Sequence, residues 1–121
     1  MSFSDILRGL VTGVKGGAGA AIMGVDGLAI EKFQLAGSAF DVDTIGVEYG
    51  RVIEEVKNAA MVLSLGALEE IVVTMPGAEV FLRVITPDYY LVLVLKSVEN
   101  AGKARYLLRR AALRAKLELA V

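Results

Sequence analysis

The stretch AGAAIMGVDGLAIEKFQL, residues 18–35, decides how this chain folds. It holds two apolar segments, 18–25 and 28–35, separated by Asp26-Gly27. An Asp-Gly pair between apolar segments is a strong hairpin signal, because both positions tolerate positive φ. The first segment is apolar on both of its sides, whereas Glu31, Lys32 and Gln34 interrupt the second as they would an outer strand. A sheet built around such a hairpin is largely antiparallel.

Upstream, Ile6, Leu7, Leu10, Val11 and Val14 recur at helical spacing, so residues 2–15 are predicted to form a helix capped by Ser2 or Ser4 and stopped by Gly16-Gly17. Downstream, a second helix begins at Asp41 or Asp43 and ends near Gly66. Ile45, Tyr49, Val52, Val56, Ala60 and Leu63 form its apolar stripe, with Glu48, Arg51, Glu54, Glu55 and Asn58 on the other side. Three strands follow at 68–75, 79–85 and 89–95, turned by Pro76-Gly77 and Pro87-Asp88. The last strand, Tyr89 to Leu95, is apolar at every position and therefore belongs in the middle of the sheet, covered on both faces. A final helix runs from about Asn100 to the C-terminus. With no linker, repeat or low-complexity segment, residues 1–121 read as one α/β (α+β) domain.

Composition narrows the function. Hydrophobic residues make up 55% of the 121 and charged residues 22%, richer in apolar groups than an average soluble domain. The uncharged apolar runs 59–68 and 89–95 are too short to span a bilayer. Asp5 and Arg8 sit inside the N-terminal apolar stretch, so no secretory signal is expected there. Surplus apolar surface then reads as the mark of an oligomer. The chain has no cysteine and no histidine, which removes disulfides, thiolate metal sites, the usual general base and the usual zinc ligands. A reducing cytoplasm fits.

No catalytic constellation emerges. Gly13 to Gly19 looks like a phosphate loop in composition, but it follows a helix, lacks Gly-Lys-Ser/Thr, and has Ile22 where a dinucleotide fingerprint needs its third glycine. The acid pairs Glu54-Glu55 and Glu69-Glu70 cannot converge, because adjacent side chains point in different directions, and they read as solvated surface. Asp26 is accounted for by its turn. No enzyme, cofactor or metal is expected.

Two features remain. Charge is lopsided: residues 1–95 hold 6 basic and 12 acidic groups, residues 96–121 hold 7 basic and 2 acidic. The last helix carries Lys103, Arg105, Arg109, Arg110, Arg114 and Lys116. A solvated face is the first reading and pairing with an acidic protein surface the second. With a pI of about 5.4 and only Tyr106 as an interleaved aromatic, no nucleic acid is expected. In the second helix, Gly46 and Gly50 share a face with Ile53 and Lys57. Each helical glycine costs about 1 kcal/mol relative to alanine, so the pair marks close approach of another backbone, in a partner or within the same chain. Strand three, with Ile71 and Val73, sits where an edge strand would and invites pairing.

The order of these elements, with the strings 23–30, 89–95 and 100–105, resembles the Roadblock/dynein light-chain family, especially its bacterial MglB-like branch. The resemblance covers essentially the whole chain. It implies a five-stranded antiparallel sheet in the order 2-1-5-4-3, with the first and last helices on one face and the second on the other. It also implies dimerisation through helix two and edge strand three, which makes Gly46, Gly50, Ile53, Lys57, Ile71 and Val73 the candidate interface. The family scaffolds or regulates Ras-like small GTPases, and MglB-like members stimulate hydrolysis by a GTPase called MglA. A homodimeric, cytoplasmic regulator without membrane insertion is the expectation, and a cargo-tethering module insensitive to nucleotide the alternative. No arginine stands out as a finger, and no C-terminal extension of the kind some MglB-like proteins carry is expected.

Overall fold

In the computed structural model, which describes residues 2–96 and 101–120, strand β5 (Tyr89–Leu95) lies at the centre of a single sheet. Before it come α1 (Phe3–Thr12), β1 (Gly17–Gly24), β2 (Ala29–Gln34), α2 (Val42–Val62), β3 (Glu70–Met75) and β4 (Ala78–Thr86), and after it α3 (Ala101–Leu119). The strands pair antiparallel in the order β2-β1-β5-β4-β3. Helices α1 and α3 cover one face and α2 the other, the layering expected from the sequence. The expected start of the last helix at Asn100 lies outside the described residues.

Alternation along β5 feeds two cores. Leu91, Leu93 and Leu95 pack with Ile6, Leu7, Leu10 and Val11 of α1 and with Ala104, Leu108 and Ala111 of α3. Tyr90, Val92 and Val94 pack with Val42 and Ile53 of α2. Burying a Leu or Val side chain contributes roughly 1.5–3 kcal/mol, so a strand with two apolar faces is stable only between two layers.

Two local expectations need correcting. Helix α1 stops at Thr12 instead of near Lys15, with the Gly13 N–H donating to the Gly9 carbonyl. The chain has to double back so soon that a Cβ at Gly17 would lie 2.2 Å from the Val11 oxygen. The hairpin turns at Asp26-Gly27 as expected, but only Gly27 has positive φ, at 89°. Its loop is longer than two residues, because Gly27 N–H bonds to Gly24 O, Asp26 Oδ1 accepts from Leu28 N, and the ladder resumes at Met23 opposite Ala29.

Helix α2 begins at the Asp41 cap, whose carboxylate accepts from the Asp43 N–H and the Thr44 hydroxyl. The Thr44 hydrogen bond holds that carboxyl below the usual carboxylate range. Gln34 Oε1 accepts from the Val42 N–H at 2.9 Å, and Lys32 pairs with Asp43, so β2 holds the start of the helix.

The face that α2 turns to the sheet matches the expected stripe only in its first half, where Ile45 and Tyr49 pack against the core. Val42, Gly46 and Ile53 are its buried residues, whereas Val52 and Leu63 are exposed and Ile45, Tyr49, Val56 and Ala60 are only partly covered. The reason lies in the sheet beneath. A Cβ at Gly46 would stand 3.0 Å from Met23, and one at Gly50 would stand 2.2 Å from the Tyr90 hydroxyl. The Tyr90 hydroxyl donates to the Gly46 carbonyl at 2.8 Å, under the helix. Large residues on the sheet therefore require small ones above them.

Gly50→Ala should cost about 2 kcal/mol in chemical unfolding, because the new methyl displaces Tyr90 and breaks a buried hydrogen bond. Gly46→Ala should stay within about 1 kcal/mol of wild type, since Met23 is flexible and alanine is the better helix former. Equal losses would show that Tyr90 yields as readily as Met23.

Burial holds the Tyr90 hydroxyl above the ordinary tyrosine value, with Glu54 and Asp26 adding to the rise. The folded state thus keeps this proton more tightly than the unfolded chain. Its contribution is full below the ordinary value of about 10 and is lost as pH rises through the folded value. Tyr90→Phe should cost about 1 kcal/mol at neutral pH by removing the buried hydrogen bond to the Gly46 carbonyl. Denaturant melts across alkaline pH should show that gap narrowing above about pH 10.

Candidate interaction surface

Gly46 and Gly50 seat α2 on the sheet, and the second half of its apolar stripe is left facing sideways and outward. Tyr49, on that stripe, reaches β3, where its hydroxyl donates to the Met75 sulfur at 3.5 Å. Val52 is 37% exposed and Leu63 64%. Met61 and Val62 in the last turn of the helix, and Leu65 beyond its end, are strongly exposed as well.

Local geometry fixes that end. The Ser64 N–H donates to the Met61 carbonyl and the Leu65 N–H to the Ala60 carbonyl, the paired bonds of a Schellman motif. Ser64 occupies its left-handed position at φ 56°. The motif turns the chain sharply and leaves Leu63 and Leu65 on the outside.

Beside the stripe runs β3, an edge of the sheet, whose Ile71 and Val73 pack partly against the α2-side core while Val72 is exposed on the other face. Its first residue behaves differently from the solvated acid expected at this position. The Glu70 side chain is only 6% exposed, with Oε1 3.4 Å from Arg83 Nη1 and Oε2 2.7 Å from Arg105 Nε. Glu69 is exposed, as expected. Arg83 is the register partner of Glu70 across the Pro76-Gly77 hairpin, and folding the sequence about that turn would have placed the two opposite one another. Arg105 comes from α3, and no local signal announces it.

The six residues expected at an interface therefore part company. Ile71 and Val73 lie on the edge strand beside the open stripe. Gly46, Gly50 and Ile53 lie beneath α2, where Ile53 is 1% exposed, and their close approach is to Met23 and Tyr90 of the same chain. Lys57 sits at the margin, its Nζ donating to the Pro87 carbonyl at 3.3 Å and standing 3.6 Å from Glu54. The apolar residues that α2 offers outward are Val52, Val56 and Leu63, assigned to the internal core from the sequence.

A groove of about 570 Å³ below the end of α2 is lined by Val56, Leu65, Leu68, Glu70 and Arg109 among others, and is open and mixed in polarity. Among the described residues, no group of three or more acidic side chains is placed to hold a metal ion. No described helix is long and apolar enough to cross a membrane.

No family model matches the chain, and no curated protein matches its sequence. Solved structures do. MglC from Myxococcus xanthus is 34% identical, with 98% of this chain and 99% of that chain covered and a TM-score of 0.69. A Roadblock/LC7 domain from Streptomyces avermitilis superimposes with a TM-score of 0.84 at 16% identity, covering 96% of both chains. An MglB solved in a tetrameric arrangement gives 0.86 at 17% identity, over 98% of this chain and 90% of that one. With the same strand order, the same helical layers and a full-length relative at 34% identity, the chain belongs to the Roadblock/LC7 family, in its MglB/MglC branch.

Proposed function

We propose that the chain is a homodimeric, non-catalytic regulator or scaffold of a Ras-like small GTPase in the cytoplasm. The observation that carries the self-association is the open apolar face formed by Val52, Val56 and Leu63 of α2 and by Ile71 and Val73 of the β3 edge. An edge strand beside an uncovered apolar helix offers backbone pairing and hydrophobic burial together. A second copy, docked about a two-fold axis, would extend the sheet through β3 and pack α2 on its symmetry mate. An MglB is known in a tetrameric arrangement, so assembly of this fold through its own copies has a precedent.

The GTPase partner rests on family membership. A regulator of this kind acts by holding the switch segments that order around the γ-phosphate and its magnesium ion. Such a protein needs no acid–base machinery of its own, because it acts on the partner's own catalytic groups.

Light scattering at micromolar concentration should give about twice the 12.8 kDa chain mass. Leu63→Asp should return the chain to monomer with its circular dichroism unchanged, because that side chain is 64% exposed. A wild-type monomer, or a dimer indifferent to Leu63→Asp, would refute this interface.

Mixing the wild-type protein with its cognate GTPase should accelerate phosphate release or give tighter binding to the GTP state than to the GDP state. Equal affinity for both states would assign it to cargo tethering, and no binding in either state would remove the GTPase from the account.

A further inference from the structure

Helix α3 has a second face that neither the core nor the proposed dimer uses. Its inward side is made of Ala104, Leu108, Ala111, Ala112 and Ala115, all buried. On the opposite side, Tyr106, Arg110, Leu113 and Leu117 follow one another at i, i+4, i+7 and i+11, a continuous seam one side chain wide. Tyr106 is 57% exposed, Leu113 66% and Leu117 70%. An apolar seam diametrically opposite a helix's buried face serves no packing within the chain.

Its borders are cationic. Arg109 and Lys116 flank the seam on one side and Arg114 on the other, while Arg110 crosses it with its guanidinium 5.8 Å from the centre of the Tyr106 ring. Among the described residues, Arg109, Arg114 and Lys116 have no acidic partner, in contrast to Arg105, which is committed to Glu70. Residues 101–120 hold six basic groups and one acidic group, although the chain as a whole carries a net charge of −1.

We infer that this face of α3 docks an amphipathic helix of a partner protein, one whose apolar seam is bordered by Asp and Glu. Charge complementarity identifies the occupant. The seam supplies anchors at the spacing that helix-on-helix recognition uses, and the four cations select acidic flanks and favour rapid encounter. An anionic bilayer fits less well, because Arg110 interrupts the apolar strip and residues 1–95 carry a balance of −6 that a negative surface repels. Tyr106, Leu113 and Leu117 lie on the face of the sheet opposite α2, and of the cationic border Arg109 alone also lines the groove beside Val56, so the inference rests neither on self-association nor on the GTPase reading.

The test uses the full chain and three probes: a fluorescent synthetic helix with a leucine seam flanked by glutamates, the same helix with lysines in place of glutamates, and vesicles of phosphatidylcholine with phosphatidylglycerol. The glutamate-flanked helix should bind, with an anisotropy signal that weakens as salt rises, and the lysine-flanked helix should not. Leu113→Asp and Arg114→Glu should each weaken binding about tenfold. Leu117→Asp serves as the second seam variant should Leu113→Asp lose its helical circular dichroism. Leu63→Asp, on the opposite face of the sheet, should bind as wild type does. Equal binding of the two helices, affinity indifferent to the seam and arginine substitutions, or capture by the vesicles in place of the glutamate-flanked helix would each overturn the inference.

Discussion

Seven consecutive apolar residues in β5 impose the constraint from which the rest of the architecture follows. A strand whose two faces are both apolar has to be flanked by strands and roofed on both sides. Leu91, Leu93 and Leu95 call for the α1–α3 layer, and Tyr90, Val92 and Val94 for α2. Once β5 is central, the hairpins on either side of it fix the order of the other four strands, and β2 and β3 become the edges.

Tyr90 is the point at which this constraint reaches the surface. Its ring occupies the place where α2 has to pass, and the helix accommodates it by carrying no side chain at Gly50 and by offering the Gly46 carbonyl to its hydroxyl. Close seating on that side rotates the remaining apolar stripe of α2 away from the sheet, toward β3 and solvent. The exposed apolar face of α2 is therefore a consequence of internal packing: the glycines that bring the helix down are also what leaves Val52 and Leu63 uncovered.

The fold was largely legible because its signals are local. Asp26-Gly27, Pro76-Gly77 and the unbroken apolarity of residues 89–95 each act over a few neighbours, and together they determine strand order. The orientation of α2 was not legible. A helical wheel treats the larger apolar stripe as the inward one, yet here the inward face is chosen by the bulk of Met23 and Tyr90, more than twenty and forty residues away along the chain. Glu70 shows the same division. Its pairing with Arg83 follows from hairpin register, whereas its contact with Arg105 depends on where α3 comes to rest, 35 residues later.

That shared carboxylate has a further consequence for the β3 edge. Glu70 is clamped from two directions, by the neighbouring strand β4 and by helix α3 packed over the same face, so the outermost strand is anchored at its start before any other molecule arrives. Unpaired edge strands ordinarily fray, and ordering them is part of the free energy of association. A strand anchored in this way would present its outer N–H and C=O groups in register, and much of the entropic loss on docking a second copy would then be incurred during folding. Association through this edge would then resemble the meeting of two rigid templates more than the zipping of two loose ends.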